Sequence, residues 1–120
     1  MSEISTTPLM QLLERFLNVT SARHQLVVGN MANVDTPGYR TKDIDFRSEL
    51  QRASWDDGQD LTPMARSVPS LLERPDGNNV SLDREGLLMA ETQMQYSLGI
   101  QFLRHEFQNL MLAIHEGNKS

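Results

Sequence analysis

"SLDREGLLMAETQMQYSLGIQFLRHEFQNLMLAIHE", residues 81 to 116, holds no proline and opens on a residue suited to a helix start. Ser81 can cap through its hydroxyl, and Asp83 and Glu85 follow in the first turn, where the helix dipole favours negative charge. Alternate steps of four and three from Leu82 meet Gly86, Met89, Gln93, Tyr96, Ile100, Leu103, Phe107, Leu110 and Ile114. Only Gly86 and Gln93 break the apolar run. A stripe of this spacing, sustained so far, reads as a coiled-coil seam. At the usual rise per residue the helix is roughly 50 Å long. Leu87, Met94, Leu98, Phe102 and Met111 add a second stripe beside the first, so this helix calls for more than one neighbour.

A partner helix precedes it. Thr7 can cap and Pro8 takes the first helical position, where its missing N–H costs nothing. Leu9, Leu12, Leu13, Phe16, Val19, Leu26, Val27, Met31 and Val34 then recur at helical spacing, interrupted by Arg23 and Asn30. The pattern predicts a helix from about residue 8 to 33. The expected fold is all-α: long N- and C-terminal helices pairing as a coiled-coil hairpin, with an irregular, partly extended middle arm. The chain divides into an N-terminal helix and corner (1–40), the arm (41–80) and the C-terminal coiled-coil helix (81–120), forming one discontinuous domain. In the arm, Pro63, Pro69, Pro75 and the Asp-Gly pairs at 57–58 and 76–77 break any long element.

Composition narrows the function. Apolar residues are 38% of 120, below the usual share for a globular domain, and Trp55 is the single tryptophan. A thin core for this length implies that the helices order fully only when packed beside copies of the chain or its relatives. The net charge of −5, without a basic cluster, argues against nucleic acid and against an anionic membrane surface. There is no cysteine, hence no disulfide or thiol chemistry. "MSEISTTPLMQLLERF" lacks a basic stretch followed by an apolar core, so no cleaved secretory signal is expected, and no apolar run is long enough for a bilayer.

Catalytic and metal motifs fail on inspection. "HEFQN" (105–109) starts like a zinc HExxH but has Asn109 where the second histidine belongs. "DGNNVSLDRE" (76–85) starts like a calcium loop but places Val80 and Ser81 where an oxygen ligand and glycine are needed. "DDGQD" (56–60) reads as a solvated turn. No nucleophile–base pair or phosphate-cradling loop sits in a recognisable frame. No catalytic residue, cofactor, metal or small-molecule substrate is expected.

The helix-ending stretch "ANVDTPGYR" (32–40) is the most specific local signal. Pro37 pushes Thr36 out of helical space and, with Gly38 able to take positive φ, spells a type II turn. Asn33 and Asp35 can bond nearby backbone N–H groups. A lone glycine would end the helix; this sequence also aims Tyr39 and Arg40 in a set direction.

Ala32, Asn33, Thr36, Pro37, Gly38 and Tyr39 resemble the Ala-Asn-x-x-Thr-Pro-Gly-Tyr signature of flagellar axial proteins. The short length, with "DIDFRSEL" (43–50), "DGNNVSLDRE" (76–85) and Tyr96, is similar to the flagellar basal-body rod protein family, and within it to proximal rod subunits. Ser81 and Thr92 depart from the Asp and Asn usual in that family. The resemblance implies a structural subunit, not an enzyme, exported unfolded through the flagellar type III export gate without a cleaved signal. It would polymerise in the periplasmic rod with itself, other rod subunits and basal-body components. It implies packing roles for Leu12, Phe16, Tyr96, Ile100, Leu103, Phe107, Leu110 and Ile114. Phe46 and Leu50 of "FRSEL" fit a Phe-x-x-x-apolar export signal, although the same side chains could pack against the assembled rod. The rival reading is a soluble helical adaptor or secretion chaperone using the same seam for one partner.

Overall fold

The computed structural model describes residues 7–55 and 61–117. The turn read at 56–60 and the two chain ends lie outside the described residues. The elements are α1 (Pro8–Ala32), β1 (Lys42–Ile44), α2 (Phe46–Trp55), β2 (Ala65–Ser67) and α3 (Leu82–Gly117). The molecule is a rod, with extents of 72 × 28 × 20 Å. Its radius of gyration is 18.7 Å, against about 14 Å for a compact chain of this length.

α1 begins where Thr7 Oγ1 accepts from the Met10 N–H at 3.1 Å and Pro8 occupies the first turn. It packs antiparallel to α3. Thr7 meets Glu106, Arg23 meets Glu91, and Asn30 meets Glu85. From Phe107 to Gly117, α3 continues past the described start of α1 by roughly 16 Å.

The contact between the long helices corrects the expected seam. The residues α3 buries are Glu85, Leu88, Thr92 and Gly99. Each immediately precedes a seam residue: Gly86, Met89, Gln93 or Ile100. The helix is therefore turned by about 100° from the face a coiled-coil hairpin would bury. Gly99 explains the rotation. A Cβ there would lie 2.7 Å from Leu17 Cδ2 and 3.1 Å from Phe16 Cδ1, so α1 packs into space that a side chain at this position would take. Glu85, Leu88, Thr92 and Gly99 face α1, while Tyr96, Phe107 and Ile114 stay exposed.

The arm is also more regular than expected. It carries α2 and a two-stranded antiparallel sheet, in register Lys42↔Ser67, Asp43↔Arg66 and Ile44↔Ala65, so the fold is mostly helical rather than all-α. Residues 46–55 contain no proline, and Asp45 starts α2 by accepting from the Ser48 N–H at 3.2 Å. The Phe46 ring meets Phe16 of α1 edge-to-face at 5.3 Å and 83°. Buried Glu49 accepts from Arg15 at 2.9 Å, from Arg52 at 2.6 Å and from the Met64 N–H at 3.2 Å. Arg15 also donates to the Leu61 carbonyl, tying the segment that leads into β2 to α1. Burial pushes the Glu49 carboxyl up, but bonds from Arg52 and Met64 and the charges of Arg52 and Arg15 outweigh it and hold it below the usual range.

Among the described residues the apolar core is short: Met10, Leu17, Val19, Val27, Ile44, Val80 and Leu88. Buried polar groups outnumber it. They include Arg15, Thr20, Asn30, Thr41, Glu49, Asn78, Asn79, Glu85 and Thr92, and most cluster where α1 ends and α3 begins.

Candidate functional site

The corner after α1 is built from its own sequence first. Asn33 closes the helix: its N–H reaches the Gly29 carbonyl at 3.1 Å and its Nδ2 donates to the same oxygen at 2.8 Å. Thr36 returns two bonds to Asn33, N–H to carbonyl and Oγ1 to Oδ1, each at 3.0 Å. The Tyr39 N–H then reaches the Thr36 carbonyl at 3.2 Å, across Pro37 and Gly38. Gly38 has φ of +76°, the value a type II turn demands at its third residue and an L side chain resists.

The segment before α3 locks onto this turn. The Gly38 N–H donates to the Asp76 carbonyl at 2.9 Å. Asn78 Nδ2 donates to the carbonyls of Asn33 and Thr36 at 2.9 and 2.8 Å, while its Oδ1 accepts from the Val80 N–H at 2.8 Å. Asn79 Oδ1 accepts from the Thr41 N–H at 2.7 Å, and its carbonyl from Thr41 Oγ1 at 3.2 Å. "ANVDTPGYR" and "DGNN" are thus two halves of one joint.

Beneath the joint runs a buried polar relay. Asn30 Nδ2 donates to Glu85 Oε1 at 2.9 Å and to the Lys42 carbonyl at 2.8 Å. Its Oδ1 accepts from Tyr39 Oη at 2.9 Å and from the Lys42 N–H at 3.1 Å. All four hydrogen-bonding positions of the amide are filled. Glu85 Oε2 accepts from Arg84 at 2.7 Å, and Arg84 donates onward to Asp43 at 2.6 Å. Arg23 grips the same Asp43 carboxylate with two bonds, at 2.9 and 3.1 Å. Burial alone would raise the Asp43 carboxyl, but the bonds from Arg23, the Ile44 N–H and Arg84, with the Arg23 charge, leave it below its ordinary value. Tyr39 is raised, by burial and then by the nearby Glu85 charge. One chain of bonds joins α1, the turn, β1 and α3.

The relay's carboxylates are occupied by arginine and amide donors. Among the described residues no group of three or more His, Asp or Glu side chains is placed to hold a metal. The arrangement has one clear chemical capacity, which is to hold angles.

The sites read from the sequence scatter. Ala32, Asn33, Thr36, Pro37, Gly38 and Tyr39 come together in the joint. Leu12, Tyr96, Phe107 and Ile114 are exposed, and Phe16, Ile100, Leu103 and Leu110 are half-buried. Phe46 and Leu50 are half-buried on α2. Asn30, Asn78, Asn79, Arg23, Asp43, Arg84 and Glu85 did not emerge from the sequence as site residues. Their signal was present: Arg23 and Asn30, seven residues apart on one face of an apolar helix, interrupt it where polar partners wait.

No protein-family model matches the chain. Curated relatives do. It is 31% identical to the flagellar basal body rod protein FlgB of Escherichia coli, over 85% of this chain and 89% of that protein. The chain belongs to the FlgB family. Family members of the same name in Salmonella typhimurium and Borrelia hermsii are each 28% identical. The second spans 88% of this chain and 94% of its own length, so the FlgB likeness covers helices and arm alike. Among the described residues no helix is long and apolar enough to cross a membrane.

Proposed function

We propose that this protein is a structural subunit of the proximal part of the bacterial flagellar basal-body rod. It leaves the cytoplasm unfolded through the type III export gate and polymerises in the periplasm through its long helices. FlgB family membership supports the coarse reading. One structural observation carries the finer one. Beyond Gly99, one side of α3 exposes Phe107, Met111 and Ile114, while Ile100, Leu103 and Leu110 beside them are only half-covered. A contiguous apolar face on a helix that outruns its partner is surface awaiting other chains. The polar joint at the opposite end fixes the angle between helices and arm, so each subunit presents this face in one orientation.

The test is an in-frame deletion of the gene. The expected cell is non-motile, with no rod and no external filament in isolated basal bodies, and regains both from the wild-type gene. A secretion chaperone would instead leave some rods assembled without it. Export is tested separately with Phe46→Ala. This change removes the ring contact to Phe16 and so makes unfolding easier, yet the export-signal reading expects less secreted protein. Undiminished secretion removes that reading.

A further inference from the structure

Midway along the rod, α1 and α3 enclose a cavity that neither the joint nor the apolar end uses. Its volume is about 300 Å³, at the small end of the range for ligand pockets. The floor has no hydroxyl proton to give. Buried Thr20 donates to the Phe16 carbonyl at 2.7 Å, and buried Thr92 to the Met89 carbonyl at 3.2 Å. A hydroxyl carries one proton, so Thr92 meets His24 Nδ1, 2.8 Å away, as the acceptor. The neutral imidazole therefore has its proton on Nδ1 and its lone pair on Nε2. Among the described residues Nε2 has no hydrogen-bond partner. It is the acceptor that His24 brings to the cavity it lines.

The rest of the lining is uncharged. Arg23 and Glu91, next to His24 and Thr92 in the chain, do not line it; they pair with each other at 3.4 Å, and Arg23 also holds Asp43. An ion entering would lose water without gaining a counter-charge. Ser21 and Gln93 bring a hydroxyl and an amide, and Tyr96, 43% exposed, brings an aromatic ring to mostly apolar walls. A fitting ligand is neutral, carries several hydrogen-bonding groups of which at least one donates, and has an apolar face.

We propose that this cavity is a binding site for a neutral sugar ring. One ring hydroxyl donates to His24 Nε2, others exchange bonds with Ser21 and Gln93, and the C–H face of the ring lies on Tyr96. The inference goes beyond the rod-subunit reading and does not rest on it, since a single subunit supplies every group.

Full-length, isotope-labelled protein is titrated with methyl glucoside and followed by amide NMR. Expected are saturable shifts confined to residues 20–24 and 92–97. Glucuronate, an anionic sugar, should bind at least about tenfold more weakly. Tyr96→Ala, at an exposed position, should leave the circular dichroism spectrum unchanged and weaken methyl glucoside at least about tenfold. His24→Gln, which keeps an acceptor, should bind more tightly than His24→Phe, which has none. Side-chain nitrogen shifts of His24 should report the Nδ1–H tautomer. The site is overturned by the absence of saturable shifts at the solubility limit of the sugar, by unchanged affinity in Tyr96→Ala, or by the Nε2–H tautomer. Equal binding of glucuronate, or of cyclohexanol with its single hydroxyl, overturns the sugar. None of these results bears on the deletion strain, which judges the rod-subunit reading separately.

Discussion

The two ends of this rod are held by opposite means. At the joint, Asn30, Asn78, Asn79 and Glu85 are almost wholly buried, yet each has its polar atoms matched by backbone or side-chain partners. At the far end, α3 offers large apolar residues to solvent and buries nothing beyond Gly99 among its described residues. A buried polar network is directional and specifies one geometry, because any misfit leaves an amide or carboxylate without a partner. An exposed apolar stripe specifies little by itself but favours any neighbour that covers it. The contrast separates the labour under the proposed function: one end sets an angle inside the subunit, and the other would supply adhesion between subunits.

The hardest blow to this contrast should come from Asn30→Ala. It strips partners from Glu85, Tyr39 and both backbone groups of Lys42. The expected loss is about 3–5 kcal/mol of unfolding free energy, read from urea denaturation, since leaving a buried charge under-compensated is costly. A loss below about 1 kcal/mol would mean the joint is not what orders this end.

Next in size is Gly99→Ala. The added methyl would lie 2.7 Å from Cδ2 of buried Leu17 and 3.1 Å from Phe16 Cδ1, so making room for it disturbs that packing. About 1–3 kcal/mol of destabilisation is expected in the same measurement. Gly86→Ala makes the opposite comparison. No atom stands within 4 Å of its added Cβ, so it should stabilise the helix by up to about 1 kcal/mol.

Acid should act on the joint and on the α2 clamp. Asp43 and Glu49 both have folded pKa values lowered by arginine and backbone donors after burial has pushed the other way. Their contribution is fully present above the unfolded values of about 3.9 and 4.3. It is lost as pH falls through the lower folded values. Thermal midpoints should thus stay level at mildly acidic pH and drop below about pH 4. Asp43→Asn should flatten that drop.

The smallest stability effect belongs to the other end. Ile114→Ser lies on the exposed face, so urea midpoints should shift by no more than about 0.5 kcal/mol. Motility of the complemented strain should nevertheless fall sharply. A variant that neither destabilises nor impairs motility would remove the adhesive role of this face.

Both long helices and the corner between α1 and the arm were legible along the chain. A proline at the first helical position, an acidic first turn and Pro37-Gly38 at the helix exit act over neighbouring residues, so short-range rules suffice for them. Two matters were settled by contacts between distant segments. One was the face α3 turns to α1: the heptad stripe pointed to Met89 and Ile100, but Gly99 permits a closer approach one position earlier. The other was the meaning of Arg23, Asn30, Asp43 and Glu85. Along the sequence they are interruptions and surface charge. They become a joint because folding carries residues 30 and 85 to within hydrogen-bonding distance, 2.9 Å between Asn30 Nδ2 and Glu85 Oε1, and excludes the water that would otherwise satisfy them.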